Sequence, residues 1–295
     1  MQGIVLIDKP RGWTSFDVVA VMRRTLGTKK IGHSGTLDPM ATGVLPLLVG
    51  RATRLVDLLP VTDKRYRAVI RFGLTTDTLD ITGEVLTRQE AHVTRQQLEE
   101  ALEPFRGPIM QVPPMVSALK QNGRRLYDLA REGKTVERPA RPVTIHSLTC
   151  LGPGEERNEF VLDVSCSKGT YIRSLCDDLG RSLGCGAVLS GLCRTEAAGF
   201  ALDECVPLEQ AREMSPEELL RPAEDAVRRY PSVSLSEGQA RRFQNGGKLD
   251  LIRLSGAADA DGLVRVTAPG GQCIGLGRAV LSEGCLRVAC QFDTD

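Results

Sequence analysis

The stretch KKIGHSGTLDPMATGVLPLLVGRATR, residues 29–54, carries a glycine-rich loop (Ile31 to Thr36) into a lone carboxylate, Asp38, directly followed by Pro39. Two readings of Asp38 stand side by side. Aspartate as N-cap with proline at the first helical position is a common way to open a helix. A helix N-terminus also stabilises a carboxylate, so Asp38 is a candidate cap and a candidate reactive group at once. The spacing Gly32-x-x-Gly35 lacks the lysine and the length of a phosphate-binding P-loop. No nucleotide-binding fingerprint occurs elsewhere in the chain.

Outward from this segment the chain alternates strand and helix signals. GIVLID (3–8) reads as a strand, and Thr14 with Asp17 reads as a near capping box for a helix closed by Gly27. Residues 66–72, YRAVIRF, alternate strictly, with Tyr66, Ala68, Ile70 and Phe72 on one face, which predicts a half-exposed strand. Thr94 with Gln97 predicts a second helix ending near Gly107-Pro108. From Pro113 to Pro142 the chain is basic and polar, with a short helix around Arg125 to Arg131, and reads as an insertion outside the core. Strands are expected at 143–150 and 159–166, then a helix capped by Thr170 with Ile172, Leu175, Leu179 and Leu183 facing the core. Residues 203–225 read as a linker with some helix. DLIRL, LVRVTA, CIGLGRAV and CLRVAC read as short strands of a C-terminal β-rich module. The expected class is α+β, with a domain over 1–225 and a second over 230–295.

Composition adds limits. Hydrophobic residues make up 41% and charged residues 25% of 295, which is ordinary for a globular chain and excludes collagen, coiled coil and disorder. No apolar run approaches the ~18 residues of a membrane helix, and the N-terminus lacks the apolar core of a signal peptide. The chain therefore reads as cytoplasmic, with no membrane partner. The nine cysteines include no C-x2-C pair and there are three histidines, so no zinc spacing exists and no metal is expected.

The net charge of +1 hides a segregation. Residues 1–75 hold twelve Lys or Arg against five acids, and 113–145 seven against three, whereas 203–225 hold two against eight. Such a distribution suits a phosphate-rich partner on one surface, although solvated charged faces without a partner look similar.

Other residues invite chemistry. Tyr66 opens the alternating strand and Tyr171 the helix after Ser167-Lys168-Gly169-Thr170; either fits a plain core. Arg173 falls on the first turn of that helix, where the macrodipole disfavours a cation. A buried carboxylate would compensate it, and the guanidinium would hold that carboxylate ionised and lower its pKa. Asp77 and Asp80 in a polar turn give only a weak metal signal, because hard cations gather more oxygen ligands.

Taken together these segments closely resemble the TruB family of tRNA pseudouridine synthases. GIVLIDKPRGWTS is similar to the family's first motif and residues 29–54 to its catalytic motif. KRYRAVIRFGLTTDTLDITGEV, VPPMVSALKQNGRRLYDLAREGK and SCSKGTYIRSLCDDLG resemble further blocks in the same order. The resemblance covers about residues 3–200; beyond them it is one of kind only.

The resemblance implies a pseudouridine synthase fold: a mixed, largely antiparallel central sheet with flanking helices, a thumb inserted at about 113–142 and a small PUA-like RNA-binding domain at 230–295. It implies isomerisation of uridine 55 in the T loop of tRNA, without a cofactor, protein partner or metal, by a monomer. Asp38 matches the essential carboxylate, acting by attack on C1′ or by abstraction of the 2′ proton. Tyr66 matches the tyrosine that stacks on the flipped uracil and takes up the C5 proton. Arg173 matches the arginine paired with the carboxylate, and His33 the histidine that helps extrude the base. Tyr171 and Leu192 match walls of the base pocket; Lys64 is expected to contact substrate. Lys9 and Pro10 match a supporting motif. Cys193 stands where the family often has arginine, so a phosphate contact there is expected to be weaker. The alternatives are a guide-RNA-dependent synthase, against which the thumb-like insertion argues, a tRNA-binding or folding module without catalysis, and a metal-dependent phosphoryl-transfer enzyme.

Overall fold

The structure, a computed structural model, describes residues 1–292 apart from 118, 122, 135 and 255–260. The expected thumb span of 113–142 and the C-terminal span of 230–295 therefore each include positions outside the described residues.

In chain order the first elements are β1 (Gly3–Lys9), α1 (Ser15–Thr25), β2 (Ile31–His33), β3 (Thr42–Val49), β4 (Lys64–Phe72), β5 (Leu74–Thr76), β6 (Val85–Arg88), α2 (Arg95–Leu102) and β7 (Gly107–Gln111). The insertion contributes a two-strand hairpin, β8 (Lys120–Gln121) and β9 (Arg124–Arg125), and then α3 (Leu126–Arg131). There follow β10 (Arg141–Pro153), β11 (Glu159–Cys166), α4 (Ile172–Ser182), β12 (Ala187–Ala197), β13 (Phe200–Ala201), β14 (Val206–Pro207), α5 (Leu208–Ala211) and α6 (Pro216–Leu219). The C-terminal unit holds β15 (Ser232–Ser234), α7 (Glu237–Gln244), β16 (Leu249–Asp250), β17 (Gly262–Thr267), β18 (Cys273–Val280) and β19 (Cys285–Gln291).

Ten strands form one sheet in the order β14-β1-β3-β12-β4-β11-β10-β7, with β2 added to β3 and β13 to β12. The pairs β1–β14 and β3–β12 are parallel and the rest antiparallel, so the expected mixed, largely antiparallel sheet is present. Its central strands are buried on both faces, because alternate side chains of a strand point to opposite sides. Ile4, Leu6, Val44 and Leu48 enter one core while Val5, Ile7, Leu45, Leu47 and Val49 enter another with α1. A third core lies between β4, β10, β11 and β12 and the helices α2 and α4, with Ala68, Ile70, Leu162 and Leu189 facing Leu98, Leu102, Leu175 and Leu179.

Both capping boxes form. Thr14 Oγ1 accepts from Asp17 N at 3.0 Å and Thr14 N donates to Asp17 Oδ2 at 2.9 Å; Thr94 and Gln97 do the same for α2. Tyr66, Ala68, Ile70 and Phe72 are all buried, as their alternation predicts.

Several expectations fail locally. The second helix ends at Leu102 and Phe105 closes a 3-10 turn after it, because Gly107, at φ +81°, turns the chain into β7 rather than past the helix. Thr170 does not cap α4: its hydroxyl donates to Ser167 O at 2.9 Å, and the N-cap is Tyr171. DLIRL is strand only at Leu249–Asp250 and then a 3-10 turn over Leu251–Arg253.

Residues 203–225 are not a free linker. β14 adds in parallel to β1, Ile4 and Arg221 exchange two backbone hydrogen bonds of 2.9 Å, and Leu208, Ala211 and Leu219 enter the α1 core. Asp203, Glu209, Glu213, Glu217 and Glu218 are exposed between those apolar positions, which makes the stretch read as a linker, while Glu204 and Asp225 pair with Arg221 and Glu224 with Arg265.

The C-terminal unit is a five-strand sheet, β15-β17-β18-β19-β16, with its own core around Phe243 and Leu286. It shares a further apolar cluster with the main sheet, in which Cys273, Leu276, Cys290 and Phe292 meet Ala52, Leu55, Ala226 and Val227. Among the described residues no helix is long and apolar enough to cross a membrane.

Candidate active site

Asp38 does not open a helix. Its carbonyl accepts from Ala41 N at 3.0 Å, closing a tight turn, and β3 starts at Thr42. Proline fits the second position of such a turn as well as the first of a helix, since both need φ near −65° and neither uses its missing N–H.

Two buried groups fix this turn from behind. Lys9 is fully buried, and its Nζ donates to Trp13 O at 2.6 Å, Pro10 O at 3.0 Å and Pro39 O at 3.4 Å. Burial lowers its pKa to about 8, with Asp38 opposing. Arg194, also fully buried, donates to Val44 O at 2.8 Å, Gly35 O at 3.1 Å and Thr36 O at 3.4 Å, so both ends of the Asp38 loop hang on one guanidinium. Gly43 permits this approach: its φ is +99° and a Cβ would lie 2.2 Å from Arg194 O.

Opposite the turn, α4 presents Arg173 from its first turn. Its Nε lies 3.0 Å from Asp38 Oδ2, and its side chain is 5% exposed against 36% for the carboxylate, so the arginine forms the floor of the pair and Asp38 the open edge. The compensating carboxylate demanded by a first-turn cation is therefore present. A second follows: Arg173 Nη1 is 3.7 Å from Asp80 Oδ2. Its remaining donors reach Thr78 O at 3.2 Å and Val116 O at 2.8 Å. Asp80 is itself held, since Oδ1 accepts from Thr78 Oγ1 at 3.0 Å, Thr82 N at 3.0 Å and Thr82 Oγ1 at 2.5 Å.

Arg173 does lower the pKa of Asp38, as expected, but it does not set the net direction. Burial raises it above the ordinary carboxylate value, Arg173 pulls it back and Asp80 pushes it further up. Desolvation outweighs a single guanidinium that is shared between two carboxylates.

Asp38 and Arg173 border a cavity of about 220 Å³. Asp38, Arg173, Tyr66, Tyr171, Leu192 and Lys64 all line it, so six of the seven expected site residues come together. His33 does not line it. It sits on β2 with Nδ1 accepting from Gly35 N at 3.3 Å, and burial lowers its pKa. Tyr66 is held on β4 between Val164 and Arg194, and burial pushes its hydroxyl up to about 12, with Arg194 opposing. Burial also raises Tyr171 and lowers Lys64. Tyr171 N donates to Gln111 Oε1 at 2.8 Å, which caps the helix from a neighbouring strand. Ser117, from the insertion, closes one side.

Sequence reasoning missed Asp80, which it weighed only as a weak metal ligand, and Arg194, which it passed over beside Cys193. Both are legible only as partners of residues far along the chain: Asp80 of Arg173, and Arg194 of carbonyls 150 to 159 positions away. No cluster of His, Cys, Asp or Glu among the described residues could hold a metal ion. What the arrangement offers is an aimed carboxylate and two neutral phenols around one cavity, with Leu37, Ile172 and Leu192 as its apolar patches.

Comparison with known proteins matches three family models in succession: TruB family pseudouridylate synthase (N terminal domain) over residues 23–172, tRNA pseudouridylate synthase B C-terminal domain over 173–228, and pseudouridine synthase II TruB, C-terminal, over 231–287. A protein of Clostridium perfringens named tRNA pseudouridine synthase B is 42% identical over 280 residues, covering 94% of this chain and 95% of its own. One of Stutzerimonas stutzeri with the same name is 45% identical over 284 residues, covering 94% and 91%. Among solved structures, a chain of a Cbf5-Nop10-Gar1 complex superposes with a TM-score of 0.73 at 26% identity, covering 99% of this chain and 84% of that one. With models and relatives spanning nearly its whole length, the chain belongs to the TruB family of pseudouridylate synthases.

Proposed function

We propose that this chain isomerises uridine 55 in the T loop of tRNA to pseudouridine, with Asp38 as the essential carboxylate. The observation that carries the reading is the Asp38–Arg173 pair at 3.0 Å on the edge of a 220 Å³ cavity walled by Tyr66, Tyr171 and Leu192. The relatives' shared name supports tRNA as the substrate.

The reaction breaks the N1–C1′ bond, rotates the uracil, forms C5–C1′ and moves one proton from C5 to N1, so nothing is oxidised and no second substrate enters. Asp38 attacks C1′ or takes the 2′ proton; either needs an ionised oxygen held at a fixed angle, which Arg173 and the Lys9-anchored turn supply. The base must leave its RNA stack, at a cost of a few kcal/mol, and an aromatic face at Tyr66 offsets part of it. With its pKa raised to about 12, Tyr66 stays a neutral phenol. In this reading its oxygen takes the C5 proton while its own hydroxyl proton passes to N1, so no free tyrosinate is required. Lys64 contacts the RNA at the rim, and His33, beside the cavity rather than in it, fills space in the RNA as the base leaves.

Residues 1–225 are the catalytic unit, 113–142 close over the stem-loop, and 230–295 add an RNA contact. The chain acts alone as a monomer. The structural likeness to a chain from a complex with protein partners makes the last point worth testing directly. The measurement is tritium release from a T stem-loop transcript labelled at uridine C5, by the purified chain alone and with the product position mapped. Equal release by wild type and Asp38→Asn sinks the catalytic assignment; release only after a guide RNA and further proteins are added sinks the stand-alone reading.

A further inference from the structure

The far end of β4 carries a second cavity, about 490 Å³, that the proposed reaction does not use. Its floor is Phe72, Leu74 and Ile81; the first two are buried and the third packs on the main core, so folding fixes the floor. Its rim is Arg71, Arg88 and Arg157. Among the described residues the guanidinium groups of Arg71 and Arg88 have no hydrogen-bond or ion-pair partner. The sole carboxylate in the lining, Glu90, is 3.9 Å from Arg157 and is shared with His92 at 3.1 Å. The side-chain amide of Asn158, held at φ +62° on the same rim, is also without a partner.

Three guanidiniums around one hollow repel one another unless an anion joins them, and their planar forks match phosphate oxygens in pairs. An apolar floor beneath guanidinium planes is also what a nucleobase face needs. The volume lies within the ~300–1,000 Å³ of ordinary small-ligand sites. Along β4 the cavity is six residues from Tyr66, on the order of 20 Å at ~3.3 Å per residue, so it cannot share the flipped uridine.

We propose that this cavity is a second ribonucleotide site, holding one nucleotide of the bound RNA other than the isomerised uridine through its phosphate and base face. The assignment to RNA rests on the tRNA reading above and adds to it an anchor remote from the chemistry, which raises affinity by engaging the same molecule twice.

The test compares the full chain with the variant Arg71→Gln, Arg88→Gln, Arg157→Gln in three measurements. Filter binding of a tRNA transcript over a salt series is expected to show about tenfold or greater weakening, with the slope of log K against log salt reduced by about 2. Tritium release at saturating transcript is expected to be unchanged, because no substituted residue lines the Asp38 cavity. The corresponding triple lysine variant, which keeps charge and loses the fork, is expected to lie between the two. Equilibrium dialysis with labelled adenosine 5′-monophosphate separates the sources of phosphate. Saturable one-to-one binding lost in the glutamine variant, with tRNA affinity unchanged, overturns the RNA assignment in favour of a free nucleotide. Unchanged affinity for both probes overturns the site itself. Since binding is read apart from turnover, a chain that binds RNA normally and releases no tritium defeats the Asp38 reading and leaves this site standing.

Discussion

At the Lys64 end of β4 an arginine from α4 is sealed inside the protein, clamped by two carboxylates and two carbonyls; at the Phe72 end three arginines stand at the surface almost without partners. The same side chain serves opposite purposes. Arg173 has no freedom left, and so it fixes the direction of Asp38 and pulls down a proton affinity that burial raises. Arg71 and Arg88 keep their conformational freedom and hydration, and so contribute little to folding and are available to an anion. Burial with satisfied donors makes an arginine a piece of geometry, whereas exposure without them makes it a ligand-binding group.

The contrast can be broken from either end. Asp38→Asn removes the oxygen proposed to react and is expected to lower tritium release by at least about 10⁴-fold, with tRNA affinity within a few-fold of wild type by filter binding. The same substitution is expected to raise stability at neutral pH in urea unfolding. The folded chain binds the Asp38 proton more tightly than the unfolded chain does, so the stability this group contributes is present at low pH and lost as pH rises through its raised pKa; asparagine escapes that loss.

Arg173→Met strands two carboxylates in a partly buried site. It is expected to cost about 3–5 kcal/mol of stability and to slow turnover by about 10²–10³-fold. Its acid limb in a kcat–pH profile is expected to move to higher pH, because Arg173 holds the Asp38 pKa down.

Asp80→Asn is expected to slow turnover by about tenfold or more and to move the limb the other way, to lower pH, since Asp80 pushes that pKa up. Limbs that move together in these two variants would defeat the shared-arginine account.

The smallest effect belongs to the other end of the strand. Arg71→Gln is expected to change unfolding free energy by no more than about 0.5 kcal/mol, and a loss comparable to that of Arg173→Met would show that the surface cluster is structural.

What the sequence reveals of this architecture is what short-range physics dictates. Thr14–Asp17 and Thr94–Gln97 are reciprocal caps three residues apart, and the alternation from Tyr66 to Phe72 reports a face directly. Arg173 was legible as an anomaly, a cation on a helix first turn in want of an anion. The failures share a cause in distance. Whether Asp38-Pro39 makes a helix start or a turn is decided by Lys9, 30 residues before Pro39, and the cap of α4 comes from Gln111, 60 residues before Tyr171. Residues 203–225 look like a linker because the strand they join lies at the other end of the domain. The direction of the Asp38 pKa needed Asp80 and the extent of burial, neither of which is visible in local spacing.

The parallel pairings that complete the main sheet also govern when the site can exist. Thr42 lies beside Cys193 and Ile7 beside Val206, and Arg194 reaches Val44 across 150 positions of chain. During synthesis at roughly 5–20 residues per second, the Asp38 loop leaves the ribosome on the order of ten seconds before the arginine that gathers its carbonyls. Contacts this remote form late and slowly, so the nascent chain carries the carboxylate proposed to react as an unaimed side chain for most of its synthesis. The loop is gathered only once the strand that carries Arg194 lies beside β3.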